Sequence, residues 1–431
     1  MRKRAATRTK KQESSVEAEL PAVMRQLVLP MVAGMEVTKT GLLAFVHTMG
    51  RAALDELLLA DAERIAGPKH ARVPNRSAHH WGTTSTPLPF GGRDIVVQRP
   101  RVRGKKGEIA LPLIEELRQR DPLPNRVAEQ IVLGVSTRGY ERSLEPVAPG
   151  TRTKRTSKSA ASRALIAKTT EKMGSFLSRR LDTLDIVGLF VDGLEVAAQT
   201  VIVALGVTSD GTKVPLGLWQ GSTENATVCT ALVQNLVERG MKIDRKILCV
   251  IDGGKGIRKA LLDVLGSSAV IQRCQTHKMW NVRDHLGESR RPYALKQMRD
   301  AYKSRNAKIA KQRLLQLASW LDSNGEDAAA ESVREGLDET LTVLKLGLPP
   351  LLCRTFSTTN AIENMNGTIR RITRNVKRWR GGSMIRRWVA LAMVEAQKKF
   401  RRVKGHVHMP ALIAALRPEP EPTIESKKEA A

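Results

Sequence analysis

Ile186-Val187-Gly188-Leu189-Phe190-Val191-Asp192-Gly193 and, further along, Ile247-Leu248-Cys249-Val250-Ile251-Asp252-Gly253-Gly254 are the stretches whose reading decides the fold. Each is an apolar run of the length of a strand buried on both faces, and each ends in Asp-Gly. A buried strand that delivers a carboxylate at its tip, twice, suits an enzyme that holds divalent metal against a polynucleotide. A third acid, Glu363, follows in a later helical segment and would close the cluster.

Around these runs the pattern alternates between strand and helix. Residues 200–207 form a second apolar run, 209–212 (Ser-Asp-Gly-Thr) carry a hairpin-turn signal, and 213–219 make a third run. An amphipathic helix over 225–239 ends at Gly240, a helix over 255–265 follows the second Asp-Gly, and 269–273 make a fifth strand. Three antiparallel strands, then helix, strand, helix and strand, is the order of a ribonuclease H-like core. The expected fold is therefore α/β, a mixed five-stranded sheet with an all-α insertion, preceded by helical DNA-binding domains.

Outward from the core, residues 1–68 read as a basic arm followed by helices, and 69–112 as an irregular or hairpin segment rich in Arg, His and Pro. Within the latter, 95–97 and 108–111 flank a basic turn, a two-stranded DNA-contact candidate. Residues 113–180 suggest a helix-turn-helix: helices over 125–133 and 137–144, the second capped by Ser136, then a helix opening near Ser157. There Lys158, Ser159, Ser162 and Arg163 offer the hydroxyl and basic groups that reach phosphates and base edges. A plain helical bundle explains the same pattern. Residues 181–275 are the first part of the core, 276–350 an all-helical insertion, and 351–405 complete the core. Residues 406–431 read as a disordered tail.

Composition narrows the partner. The 431 residues include 72 Lys and Arg against 43 Asp and Glu, a net charge of +29, which calls for a polyanion. No apolar run approaches the ~18 residues of a spanning helix, and no signal peptide precedes the polar start, so the expectation is a cytoplasmic, nucleoid-associated protein acting on double-stranded DNA without a membrane. Four cysteines without disulfide rhythm fit a reducing compartment.

Each acid also has a bland explanation. Asp192-Gly193 alone is a hairpin-turn signal, Asp252-Gly253-Gly254 a strand-to-helix loop, and Asn360 with Glu363 a capping box. Together they gain weight, because both aspartates end strands expected to be neighbours. In-line phosphodiester cleavage is served by two Mg2+ ions, for which Mn2+ can substitute, bound by few carboxylates plus water and phosphate oxygen. Asp192 would bridge both ions, with Asp252 and Glu363 each holding one side. Cys274 and His277, a C-x-x-H pair followed by Lys278, supply too few ligands for a zinc site and read as structural or substrate-positioning groups. A long helix from residue 361 to about 380 would carry Arg370, Arg371, Arg374, Lys377 and Arg378 toward DNA, with Trp379 set to stack on an unpaired base.

These motifs resemble the Mutator-like family of bacterial insertion-sequence transposases, enzymes with an acidic triad on a ribonuclease H-like core. The matching residues are Val191-Asp192-Gly193, Gly217 with Ser222-Thr223-Glu224, Glu238-Arg239-Gly240, Ile251 to Gly256, Gln272-Arg273-Cys274 with His277-Lys278 and Asn281, and Thr358-Thr359-Asn360 with Glu363 and Asn366. Cys229 stands where a Trp is usual and Trp280 where an Arg is usual. The resemblance implies that Asp192, Asp252 and Glu363 are the catalytic triad and that the substrate is a pair of terminal inverted repeats with a target DNA. It also implies cleavage followed by strand transfer, in a homo-oligomer on paired ends. A regulator with a vestigial triad, or a nuclease that cuts without joining, are the alternatives.

Overall fold

The computed structural model describes residues 39–71, 74–147, 150–221 and 225–417. The basic arm, the helices expected before residue 39, Ser222-Thr223-Glu224 and the chain beyond 417 lie outside these residues. The chain divides into two compact units, Met1–Lys168 and Thr169–Ala431.

In the first unit, helix α1 (Lys39–Ala66) sets Leu54, Leu58, Ala62 and Ala66 into a core shared with Leu88, Ile95, Val97 and Val102. Those last four belong to a sheet, so of the two alternatives for 69–112, irregular or hairpin, the segment takes the paired one and extends it to a longer sheet. Strand β1 (Ala78–Phe90) pairs antiparallel with β2 (Arg93–Gly104), and β2 with β3 (Gly107–Ile109). Strand β1 escapes a sequence reading because it carries Pro87 and Pro89, which a strand tolerates at a sheet edge, and β1 is an edge. The basic hairpin exists as β2-β3, although Arg99 and Arg101 of β2 are both paired with Glu108 of β3 at 2.7 Å.

Helices α2 (Pro112–Gln119) and α3 (Leu123–Val132) follow. The helix expected over 137–144 is absent: Ser136 caps only a turn at Gly139, and a single 3-10 turn spans Glu141–Ser143. Short strand β4 (Thr153–Lys154) then pairs with β2 before α4 (Lys158–Ser178) begins. Thus α4 does not follow a helix across the short turn that defines a helix-turn-helix. On α4, Lys158, Ser159 and Arg163 are exposed and Ser162 is half-buried, while Ala161, Ala164 and Leu165 face inward.

The second unit is built on strands β5 (Ile186–Val196), β6 (Gln199–Thr208) and β7 (Lys213–Gly221), helix α5 (Ala226–Glu238), β8 (Ile247–Ile251), helix α6 (Lys255–Leu265) and β9 (Ala269–Arg273). The sheet order is β7-β6-β5-β8-β9, antiparallel across β7, β6 and β5 and parallel across β5, β8 and β9. This mixed five-stranded sheet is consistent with a ribonuclease H-like core. Helices α5 and α6 bury Leu232, Val233, Leu236, Ile257 and Leu261 on one face of it.

Strand β5 departs from expectation at the decisive point. It does not stop at Val191; it continues through Asp192-Gly193 to Val196, and the hairpin to β6 turns at Ala197 and Ala198, both with φ above 50°. Asp192 is therefore a mid-strand residue and not a turn residue, because continuous pairing with β6 (Asp192↔Val203, Gly193↔Ile202) overrides the local Asp-Gly signal.

After β9 the chain is helical: α7 (Gln275–Asp284), α8 (Arg291–Tyr302), α9 (Ala307–Asp322), α10 (Asp327–Arg334), and the short α11 (Leu337–Thr340) and α12 (Thr342–Lys345). These share a core of their own, including Met298, Leu314, Leu321 and Val333. Helices α13 (Pro350–Phe356) and α14 (Asn360–Thr373) return the chain to the sheet, and α15 (Gly382–Gln397) packs beside α14. Two expectations fail here. Helix α14 ends at Thr373, so Lys377, Arg378 and Trp379 lie in a non-helical link, and residues 406–415, expected disordered, form a 3-10 turn and helix α16 (Met409–Ala415) with Met409 and Leu412 buried.

Candidate active site

The register of the parallel pair positions the two aspartates. Gly188, Leu189 and Phe190 of β5 face Leu248, Cys249 and Val250 of β8, so Asp192 and Asp252 both lie two residues past the same rung. Strand β8 stops at Ile251, and Asp252 turns into a loop where its Oδ1 accepts the Gly254 N–H at 2.8 Å. Gly253 in that loop has φ +119°, which a side chain resists, and a Cβ there would meet the Arg273 guanidinium at 2.9 Å. The same guanidinium donates to the Gly253 carbonyl at 2.6 Å, so Arg273 holds the loop that carries Asp252.

Glu363 lies in the first turn of α14, near enough for its charge to act on Asp192. That helix is docked through Phe356 at the end of α13, whose ring stacks on Phe190 (5.7 Å between centroids) and covers Gly188, where a Cβ would stand 2.8 Å from it. The following residues are fixed in turn: the Ser357 carbonyl accepts the Gln275 N–H at 2.9 Å, and the Thr359 N–H donates to Cys274 Sγ. Asn360 is exposed in the first turn and the helix is capped at Thr359 without a side-chain cap bond, so the capping box is not formed. Instead the Thr359 hydroxyl donates to Glu363 Oε1 at 2.5 Å. That hydroxyl also lies 3.2 Å from His277 Nδ1. Having one proton and giving it to the carboxylate, it accepts from His277 Nδ1–H.

Cys274 is fully buried and caps α7, its sulfur accepting from the backbone N–H groups of His277 and Thr359. His277 Nδ1 is 3.8 Å from Glu363 Oε1. Cys274, His277 and Glu363 thus offer ligand atoms within 4.8 Å of one another. Contact with Cys274 first, and then the charges of Cys274, Asp252 and Glu363, push His277 up to about 9 against the opposing effect of burial. Burial raises the Cys274 thiol, but hydrogen bonds from His277 and Thr359 outweigh it and the net shift is downward. Lys278 is committed elsewhere: buried, it donates to the Ser332 and Glu335 carbonyls at 2.8 and 2.7 Å, closing the end of α10.

Asp192 feels the crowding. Burial, then the charge of Asp252 and, after the opposing effect of His277, that of Glu363 raise its carboxyl to about 6. Carboxylates are hard oxygen donors of the kind a divalent cation takes, and among the described residues the three ligand groups that come within 4.8 Å of one another are those of Cys274, His277 and Glu363. Asn366, one turn beyond Glu363, donates Nδ2–H to Asp192 Oδ2 at 2.8 Å and is almost wholly buried, while its Oδ1 has no partner among the described residues. A role for Asn366 and Thr359 beyond motif membership is absent from the sequence reading. The signal was their spacing, 359, 363 and 366, which puts all three on one helix face.

Of the residues expected to meet DNA in this unit, Arg370 and Arg371 are exposed on the last turn of α14 and Arg374 lies just past it. Lys377 and Arg378 are exposed in the link, where half-buried Trp379 meets Trp388 of α15 edge-on at 6.5 Å. No helix among the described residues is long and apolar enough to cross a membrane.

A mixed sheet that sets Asp192 within one strand and Asp252 just past the end of its parallel neighbour, with a glutamate in the first turn of a later helix, is consistent with a ribonuclease H-like core. The family model for transposases of the Mutator family matches residues 25–403, and the chain belongs to that family. It is 26% identical over 371 residues to the transposase for insertion sequence element ISRM5 of Rhizobium meliloti (strain 1021), covering 83% of this chain and 89% of that one. It is 28% identical over 258 residues to the transposase for IS6120 of Mycolicibacterium smegmatis, covering 58% and 77%. It is 26% identical over 341 residues to that for IS905 of Lactococcus lactis subsp. lactis (strain IL1403), covering 77% and 83%. Membership makes the chain a DNA-processing enzyme of a mobile element and implies a divalent metal.

Proposed function

We propose that the chain binds the terminal inverted repeats of an insertion sequence and cuts and joins DNA at Asp192, Asp252 and Glu363. Hydrolysis of a phosphodiester frees a 3′-hydroxyl at the element's end. That hydroxyl then attacks a target phosphodiester: it loses its proton, a new 3′-oxygen to phosphorus bond forms, and the target's own 3′-oxygen leaves.

Asp192, Asp252 and Glu363 would hold two Mg2+ ions, with Mn2+ as a substitute. Bound there, the pair supplies activation of the attacking oxygen and charge for the leaving one. The protein's part is positional. Asn366 orients Asp192, the Gly254 N–H orients Asp252, and Thr359 orients Glu363. Cationic His277 sits beside Glu363, limiting the repulsion among the acids. DNA would lie along Arg370, Arg371, Arg374, Lys377 and Arg378 with Trp379 near its end, and Lys158, Ser159, Ser162 and Arg163 would contribute to end recognition. The active form is a homo-oligomer on paired ends, in the cytoplasm with the nucleoid.

The observation that carries the proposal is the shared rung of β5 and β8, with the charges of both Asp252 and Glu363 felt at Asp192. The test incubates the full chain with labelled terminal-repeat DNA, a target plasmid and Mg2+, comparing it with Asp192→Asn. Joined products that vanish in the variant are expected. Nicking without joining would mark a simple nuclease, and binding without cleavage in either protein a regulator.

A further inference from the structure

Against the chain neighbours of Cys274 and Thr359 lies a cavity of about 830 Å³, within the ~300–1,000 Å³ of small-ligand sites. Gln275 and Thr276, next to Cys274, and Ser357 and Thr358, next to Thr359, form its wall, so an occupant sits behind the residues that orient Glu363. Part of its lining is apolar or aromatic, from Met279, Tyr302 and Leu344. Arg299, Lys303, Arg305 and Arg354 also line it, and among the described residues no carboxylate does. The Thr358 hydroxyl, lining it, is buried without a partner among the described residues. Four cations in a partly apolar hollow, with an unsatisfied hydroxyl, match a nucleotide: a flat apolar base with a polar edge, attached to phosphates.

We propose that this cavity receives one unstacked nucleotide of the DNA strand adjoining the scissile phosphate, its base on the apolar and aromatic groups and its phosphates on the basic ones. This rests on the site at Glu363 being the cutting site. Base burial against apolar and aromatic groups is tolerant of sequence, so the cavity would favour unpaired over paired ends whatever the bases.

The experiment measures binding of the full chain to three short duplexes: blunt, with a single-stranded tail carrying 2-aminopurine, and with an abasic tail of equal length. The wild-type chain is expected to prefer the tailed over the blunt duplex by at least about fivefold, the lower end of one base's stacking contribution, with a change in 2-aminopurine fluorescence. The abasic tail and the Arg305→Gln/Arg354→Gln variant should each lose most of that preference. A wild-type chain indifferent to the tail, or a preference that survives the abasic tail or the double variant, overturns the proposal. Asp192→Asn separates the two claims: it should abolish cleavage and keep the tail preference. If it still cleaves, the assignment of the acids fails while the binding ratios still judge the cavity.

Discussion

Asp192 is where the chemistry of single residues concentrates. Its carboxyl is raised to about 6 from an ordinary value of 3.8, chiefly by burial and then by Asp252. In the metal-free protein the fold thus favours the neutral acid. That contribution is complete below about pH 4 and is lost as pH rises through 6, a swing on the order of 3 kcal/mol at ~1.4 kcal/mol per pKa unit. A divalent cation held by this carboxylate would reverse the balance by binding the charged form. Melting curves should therefore show Mg2+ raising the midpoint clearly near pH 7.5 and little near pH 5, and Asp192→Asn should be the more stable protein near pH 7.5 in chelator. An equal Mg2+ shift at both pH values, or one unchanged in Asp192→Asn, would count against metal binding by this carboxylate. Asp192 and Asp252 stand out in the sequence because each ends or interrupts an apolar run, and Glu363 only through the Thr-Thr-Asn-x-x-Glu pattern of its helical segment. Their restraints do not: Asn366 touches Asp192 across 174 positions, and nothing local to either residue announces it.

At the scale of elements, the site depends on how α13 and α14 are docked onto β5. Gly188 is the contact: without a side chain it lets the Phe356 ring lie over the strand and against Phe190. Gly188→Ala would place a methyl 2.8 Å from that ring, which must move with the segment leading to Thr359 and Glu363. Overpacking of this kind costs about 1–3 kcal/mol. Urea denaturation should show that loss and cleavage should fall with it; an unchanged midpoint would mean the ring finds other room. The strands and helices of residues 186–273 were readable because buried apolar runs and amphipathic helices there are bounded by Gly and polar turns. What failed were boundaries set by distant partners. Strand β5 runs past Asp-Gly because β6 pairs with it, β1 hides its Pro residues at a sheet edge, and the basic run leaves the helix at Thr373 for a link whose Trp379 meets Trp388.

For the whole molecule the governing quantity is charge. An excess of 29 positive charges cannot be balanced internally, and ion pairs such as Arg99 and Arg101 with Glu108, or Arg273 with Glu335, consume only part of the cations. The remainder meet phosphates when DNA binds, and each phosphate neutralised releases condensed counterions, so log affinity falls with log salt at about −0.9 per contact. With ~6–10 such contacts, affinity for a terminal-repeat duplex should drop by about 10³ to 10⁵ between ~50 and ~200 mM salt. Charge removal at Arg370 and Arg371 should flatten the slope by about two, one contact each, whereas the same change at Lys278 should alter folding and leave the slope alone, since its ammonium is spent on the Ser332 and Glu335 carbonyls. Fluorescence anisotropy across a salt series measures both slopes. A nearly flat dependence in the unaltered chain would show that its basic surface is not what holds DNA, and recognition would then have to rest on base contacts, for which +29 offers no explanation.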